Sequence, residues 1–523
     1  VRTTLLLALA ATAVAAFAQT SPATQGPQPL TLPTLKPTQP LLRSPDEARL
    51  QAALVARPLT IDDAVAVALL TSRPFARSIA QLEEARGRTS EVRAGLNPSF
   101  GLNGTYTAYT APINANFAGT TIPIQRQFVG IYTAGVTLPL DISGTIRAAV
   151  GQAQFSEVAA RIDVNRTRND LVYNVRNAFY QALRAQGQLV VAQDSLRNTQ
   201  ERLQDAQANL AAGTGTQFDV LTAQRDVADA QGNLVNARGN VTVALAQLKN
   251  TIGIDVSVPL TIVDAGAVED PGTSAPEPAP VRIESYGTAK DEVALGDEYQ
   301  SAVAEAVRTR PEILEGNAAV SAAERGVAYA RRSRLPSLSV TAGYTVQPNF
   351  AGFTPANQGS LGLGFSIPIY DAGLARARDR QARAQVAAAQ IDQRTSIDQV
   401  TLDVQTAYVN RVQAQERVRV ATLAVTQAQE AFRLAQLRAR AGVSATPTQS
   451  PQIELSNAQN ALALAQTNRV NALYDYNVAR TALERAVGRY SYGPAGADGM
   501  GGYSAPPTEK VTGRNTPTAA SNP

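Results

Sequence analysis

The side chains that most often carry chemistry are missing from this chain of 523 residues, which has no Cys, no His and no Trp. Without a thiol or an imidazole there is no Ser-His-Asp or Cys-His nucleophile, no zinc site of the usual kind, no haem held by His and no disulfide frame. What remains is carboxylate and guanidinium. Paired Asp and Glu could in principle hydrolyse glycosides, yet here they lie mostly along the exposed faces of expected helices. The 47 basic residues are nearly balanced by 43 acidic ones, leaving a formal net charge of +4, and no aromatic-basic interleaving marks a nucleic-acid face. These types and spacings argue against an enzyme, against a metal or other cofactor and against nucleic acid as a partner.

The elements that must position whatever function exists are clearer. Arg2 followed by the apolar run Leu5 to Phe17, with small residues at Ala16 and Ala18, reads as a secretory signal cleaved before Gln19. It is too short to span a bilayer, and nothing later in the chain supplies the ~20 apolar residues that a spanning helix needs. Any membrane insertion must then use strands. Eight prolines between Pro22 and Pro58 predict an extended spacer. The stretch from Gly488 to Pro523 has too few large apolar residues to fold, and Val263 to Pro280 is similar and divides the chain.

The two halves are one pattern written twice. Ala64-Val65-Ala66 and Arg73-Pro74 recur as Ala302-Val303-Ala304 and Arg310-Pro311, and Pro98-Ser99 recurs as Pro336-Ser337. Asn116-Phe117-Ala118-Gly119 returns as Asn349-Phe350-Ala351-Gly352, and Leu138-Pro139-Leu140 with Gly144 returns as Ile367-Pro368-Ile369 with Gly373. Residues 145–212 hold no Pro. Val175, Ala182, Leu189, Leu196, Leu203 and Leu210 are spaced by seven, with a small row at Ala178, Ala185, Ala192, Thr199 and Ala206. This predicts a coiled-coil seam on a helix about 100 Å long. The second half repeats the small row from Ala407 to Ala435, and its large row is broken by Arg411.

Between the first and second helices of each half lies the only strand pattern. Leu338, Val340, Ala342, Tyr344 and Val346 alternate with Ser337, Ser339, Thr341, Gly343 and Thr345, and Leu361 to Ile369 alternates likewise. The first half repeats this less cleanly over Phe100 to Ala108 and Phe128 to Leu140. Such strands suit a transmembrane β-barrel, and four are too few to close one. Arg331, Arg332 and Arg334, with Arg86, Arg88 and Arg93, precede the strands and suit either a membrane interface or a solvated helix end.

In this order the residues resemble the TolC-type outer-membrane efflux proteins, over roughly 59–488. The likeness rests on the duplicated helix, hairpin, long helix, turn and helix, on the Leu59-Thr60-Ile61-Asp62-Asp63-Ala64 opening and on the turn Ala212-Gly213-Thr214-Gly215-Thr216-Gln217-Phe218-Asp219-Val220-Leu221. It implies a mixed α and β fold: a homotrimer whose chains share a 12-stranded transmembrane β-barrel continued by a long α-helical coiled-coil barrel in the periplasm. It further implies a passive outer-membrane exit duct of a tripartite efflux or type I secretion system. Its partners would be outer-membrane lipid, a periplasmic adaptor (membrane fusion protein) and an inner-membrane transporter of the resistance-nodulation-division, ABC or major-facilitator type. Gly213, Thr214 and Gly215, with Gly442, Val443 and Ser444, match the two tips that dock the adaptor. Asp219 and Glu454 match the acidic position after each turn, and Asn457 falls where a further acid often stands. A ring of such carboxylates would favour cations at a constriction, whereas a carboxylate at a helix N-terminus is favourable in any case. The second turn, 441–452, is longer and carries Pro447 and Pro451.

The organisation expected is a signal over 1–18, a spacer over 19–58, a first repeat over 59–253, a linker over 254–296, a second repeat over 297–488 and a tail over 489–523. The first repeat comprises a helix over 60–96, a hairpin over 99–140, a long helix over 145–212 and a helix over 217–252. The second comprises a helix over 298–334, a hairpin over 337–369, a long helix over 374–440 and a helix over 453–487. The competing reading is a secreted trimeric coiled-coil tether or adhesin of the envelope, without transport.

Overall fold

The computed structural model describes residues 57–117, 120–264, 297–348, 355–441 and 451–489, with 266, 268–271 and 443, all within the unit Leu54–Pro523. The expected signal, all but the last two residues of the spacer, most of the linker and the tail beyond Arg489 lie outside the described residues.

The first repeat opens with two helices, α1 (Ile61–Thr71) and α2 (Arg73–Ala94), where the sequence predicts one over 60–96. The break has a local cause. Pro74 cannot donate to the preceding turn, and Ser72, extended at ψ 118°, caps the new helix by accepting the Phe75 N–H at 3.4 Å. Next come β1 (Ser99–Ala108), β2 (Ile113–Phe117), β3 (Thr120–Gln125) and β4 (Phe128–Leu140), then α3 (Thr145–Ala211) and α4 (Gln217–Ile252). The second repeat follows the same plan with α5 (Asp297–Thr309), α6 (Pro311–Arg332), β5 (Ser337–Val346), β6 (Asn357–Ser366), α7 (Leu374–Ala441) and α8 (Pro451–Val487). The helix expected over 298–334 is likewise broken, at Arg310-Pro311.

The expected hairpin over 99–140 is β1 paired with β4, with a second small hairpin, β2 and β3, inserted between them in the chain. The hairpin expected over 337–369 ends at Ser366, whose partner Ser337 is the first residue of β5. Ile369 and Tyr370 then stand 96% and 88% exposed. Both hairpins belong to one antiparallel sheet of order β1-β4-β5-β6. Thr137 pairs with Thr341 and Thr341 with Gly362, while Val136 pairs with Ala342 and Ala342 with Leu361. The register therefore keeps one face greasy across the repeats and leaves the other mostly small and polar, with Val129, Ile131 and Pro139 of β4 as its apolar exceptions. Among the described residues, β1 and β6 have no strand on their outer sides.

Below the sheet, α2 packs on α3, α3 on α6 and α6 on α7; toward the turns the lateral order is α4, α3, α8, α7. Seams inside a repeat are mostly apolar. Leu203, Ala206 and Leu210 of α3 meet Val220 and Ala223 of α4, and Ala414 and Val418 of α7 meet Ala472 and Tyr476 of α8. Arg411, the break in the heptads, lies 5.4 Å over the Tyr408 ring and donates to Glu298 at 2.9 Å.

A repeated closure joins the ends of each half. The Thr71 hydroxyl donates to the last carbonyl of α4, at Ile252, over 2.5 Å, and the Thr309 hydroxyl donates to the last carbonyl of α8, at Val487, over 2.6 Å. The next residues, Gly253 and Gly488, are left-handed, with φ of 88° and 85°. A Cβ there would lie 2.9 Å from the Thr71 carbonyl oxygen and 2.8 Å from the Thr309 hydroxyl. Near the sheet, the arginines are held by the protein: Arg331 donates to Asp379 at 3.0 Å, Arg332 to the Gly144 carbonyl at 3.0 Å and Arg88 to Glu84 at 2.5 Å.

Gly253→Ala and Gly488→Ala are each expected to destabilise the fold by about 2 kcal/mol or more, since the left-handed backbone and the close approach both oppose a side chain. Thermal unfolding in detergent measures this; an unchanged midpoint in both variants would show that the closures contribute nothing.

Candidate functional site

The two turns between the helices of each pair form the end farthest along the chain from the sheet. In the first, α3 stops because Gly213 turns left-handed, at φ 76°. Thr214 and Gly215 both donate their N–H to the Asn209 carbonyl at 3.0 Å, closing the turn tightly. Thr216 then caps α4 in a reciprocal box. Its hydroxyl accepts the Asp219 N–H at 3.2 Å, and the Asp219 carboxylate accepts the Thr216 N–H at 3.1 Å and its hydroxyl at 2.6 Å. Asp219 is thus engaged in starting a helix. Beside it, Phe218 and Leu221 are 63% and 54% exposed. Both lie in the turn that carries the resemblance, which assigns them no role of their own; apolar residues on the first turn of a capped helix, off the seven-spaced rows, are the signal.

In the second turn the Val443 N–H donates to the Arg438 carbonyl at 3.1 Å, and the Val443 side chain is exposed. Gly442 and Ser444 lie outside the described residues. Pro451, expected in the turn, opens α8 instead, where its missing N–H costs no helix bond. Glu454 receives the Arg438 guanidinium at 2.5 Å, a pair joining the end of α7 to the start of α8. Asn457 is exposed on the next turn.

Above the turns lies a polar cluster that the sequence reading missed. Arg202 of α3 and Asp226 of α4 form an ion pair and are only 6% and 7% exposed. Ser456 of α8 donates its hydroxyl to the same carboxylate at 2.6 Å, Arg225 donates at 2.6 Å, and Arg202 donates to Gln459 at 3.1 Å. Arg202 stands three residues after Thr199 and four before Ala206, within the seam itself, which is the pattern that betrays it. The cluster is the turnward end of a polar seam between the repeats. Moving away from the turns, Gln188 donates to Asn471 at 2.7 Å, Arg184 pairs with Asp475, and Arg485 donates to Asp170 at 2.8 Å. Burial pushes the Asp226 pKa up, but the hydrogen bonds from Ser456 and Arg225 and the charges of Arg202 and Arg225 outweigh it and hold the group below the usual carboxylate value.

Among the described residues no group of His, Cys, Asp and Glu could hold a metal ion, and no helix is long and apolar enough to cross a membrane. The arrangement offers helix turns, an exposed apolar pair and a sheet with two open edges.

Such a fold, a duplicated set of long helix pairs below a four-stranded sheet, is that of solved outer-membrane channels. CusC superposes with a TM-score of 0.65 at 17% identity, over 82% of this chain and 92% of CusC. The outer membrane protein VceC of Vibrio cholerae gives 0.64 at 18% identity, over 82% of this chain and 96% of VceC. The family model described as outer membrane efflux protein matches residues 65–254 and 302–489, and the chain belongs to that family. The outer membrane efflux protein BepC of Brucella suis biovar 1 (strain 1330) is 30% identical over 191 residues, 36% of this chain and 40% of BepC.

Asp226→Asn leaves Arg202 buried without its countercharge and should cost about 3 kcal/mol at neutral pH. A carboxyl whose pKa is lower in the folded state stabilises above its unfolded value, and that contribution disappears as pH falls through the folded value. Wild-type stability should therefore drop below about pH 4 more steeply than that of Asp226→Asn. Denaturant titrations from pH 7 to pH 3 compare the two slopes; parallel slopes would remove Asp226 as the cause.

Proposed function

We propose that three copies of this chain share one outer-membrane β-barrel and form a passive duct, which carries cargo out of a pump or secretion complex across the periplasm. The observation that carries this reading is the sheet: one face apolar and exposed, with two unpaired edges. Lipid can cover the face but cannot satisfy the edges, so β6 of one chain must pair with β1 of the next. Two copies would give eight strands, a barrel just wide enough for its own side chains to fill. Three give twelve and leave a lumen, in line with the family resemblance.

The helices support the same closure. The outermost columns, α4 and α7, each carry apolar residues left exposed among the described residues: Leu221 and Val235 on one, Val420, Leu423 and Leu437 on the other. Side-by-side packing of α7 against α4 of the next chain would bury both sets and arrange twelve columns around a periplasmic tunnel. The turns would then face the inner membrane. In this reading Gly213, Thr214, Gly215, Gly442, Val443 and Ser444, with Phe218, dock a periplasmic adaptor that links the duct to an inner-membrane transporter. Asp219, Glu454 and Asn457 ring the entrance. Because Arg438 offsets Glu454, that ring is weaker in net charge than its acids alone suggest. The reading assigns the chain no catalysis and no cofactor.

Native mass spectrometry of protein extracted from membranes in detergent should give a trimer, and the trimer should pass discrete ion currents in a planar bilayer. A monomer soluble without detergent would sink the reading. Phe218→Asp should reduce co-purification of the adaptor about tenfold, the scale of an interface anchor.

A further inference from the structure

The strands that would form the wall of the duct carry almost no charge. From Ser99 to Leu140 the only charged residue is Arg126, and from Ser337 to Tyr370 there is none, in a chain that is 17% charged overall. Arg126 is exposed in the link between β3 and β4, outside the four-stranded sheet. Charge returns directly below, with Asp141 and Arg147 on one repeat and Asp371, Arg376 and Asp379 on the other.

The register makes the small polar face more specific still. One row across the sheet reads Gly101, Gly135, Gly343 and Ser360, and another reads Asn103, Thr133, Thr345 and Gln358. No aromatic side chain falls on this face. Several of its hydroxyls are occupied within the sheet: Thr133 and Thr345 share a hydrogen bond at 3.3 Å, while Ser99 donates to the Thr137 carbonyl, Thr341 to the Gly362 carbonyl and Ser360 to the Gly343 carbonyl, each at 3.4 Å. Pores that choose among ions do so with rings of charged side chains or with free carbonyls in place of hydration water. In these strands the carbonyls are spent on the ladder and the side chains are neutral.

We infer that this face is a neutral, weakly binding lining, so that the outer part of the duct passes cations, anions and uncharged solutes alike, and any choice by charge is made in the helical part. This rests on the proposed duct, in which lipid takes the apolar face and water the polar one. The cargo compatible with such an exit is therefore not restricted by sign of charge.

The absence of cysteine makes the test clean, since an introduced cysteine is the only thiol in the full chain. Thr341→Cys places it on the polar face and Ala342→Cys on the apolar one. The full-length protein in liposomes is treated with anionic and cationic methanethiosulfonates of similar size, and each rate is divided by that of a free thiol in the same buffer. At Thr341→Cys the two normalised rates should agree within about twofold, whereas a wall of one sign would enrich the opposite reagent by about tenfold or more. A tenfold bias in either direction overturns the inference while leaving the duct intact. Adding Ser339→Asp should swing the ratio toward the cationic reagent by about tenfold. Should neither reagent modify Thr341→Cys, although the unfolded protein labels fully, or should Ala342→Cys react as fast, the polar face does not line water and the duct reading fails. Ser360→Cys repeats the measurement on β6 if Thr341→Cys does not reach the membrane.

Discussion

A strand at the edge of a sheet holds a row of N–H and C=O groups, and lipid offers them nothing; each one left unpaired costs several kcal/mol. In the proposed assembly this demand governs everything below it. The edge strand β1 follows directly from α2, and the opposite edge strand β6 leads into α7, so the column that must meet a neighbour is fixed by the strand that must pair. The uncovered apolar residues of α4 and α7 lie on those same outer columns. Edge pairing and column packing are thus one requirement expressed in two solvents, hydrogen bonding in lipid and apolar burial in water.

Within the chain, the seams divide by chemistry. Helices of one repeat meet through Leu, Val and Ala, which associate strongly and tolerate small slips. The two repeats meet through Asp170 with Arg485, Arg184 with Asp475, Gln188 with Asn471, Arg202 with Gln459 and Asp226 with Ser456. Such pairs add little net stability when buried, because desolvation offsets attraction, but each is satisfied in only one register. The apolar seams hold the pairs together, and the polar seam sets how the pairs align.

Much of this was legible in the sequence because it depends on period. Seven-residue spacing marked the long helices, and period-two alternation with Gly and Ser marked the strands and their two faces. The small β2 and β3 hairpin was missed because its segment mixes Pro123 with Ile and Thr and lacks clean alternation. The breaks at Ser72 and Arg310 were hidden although both prolines were noted, since a Pro at the first turn permits a helix as readily as it ends one. Asp219 and Glu454 were visible as acids beside turns; their partners, Thr216 and Arg438, decide what they do, and only the second of these pairs requires tertiary structure. The Arg202 and Asp226 cluster spans three helices, and no local pattern encodes which residues three helices bring together.

The Thr71 and Thr309 closures also make each half a ruler. α3 is fixed at one end by the turn into α4 and at the other by the sheet, while α4 returns to Thr71, from which α2 climbs back beside α3. A heptad removed from α4 must therefore be removed from the facing part of α3, or the closure tears. The polar seam passes the same constraint to α7 and α8 through α8, and any symmetric assembly repeats it in every copy. Length in such a chain can change only in matched multiples, so relatives that bridge wider or narrower gaps should differ by coordinated insertions in four helices at once.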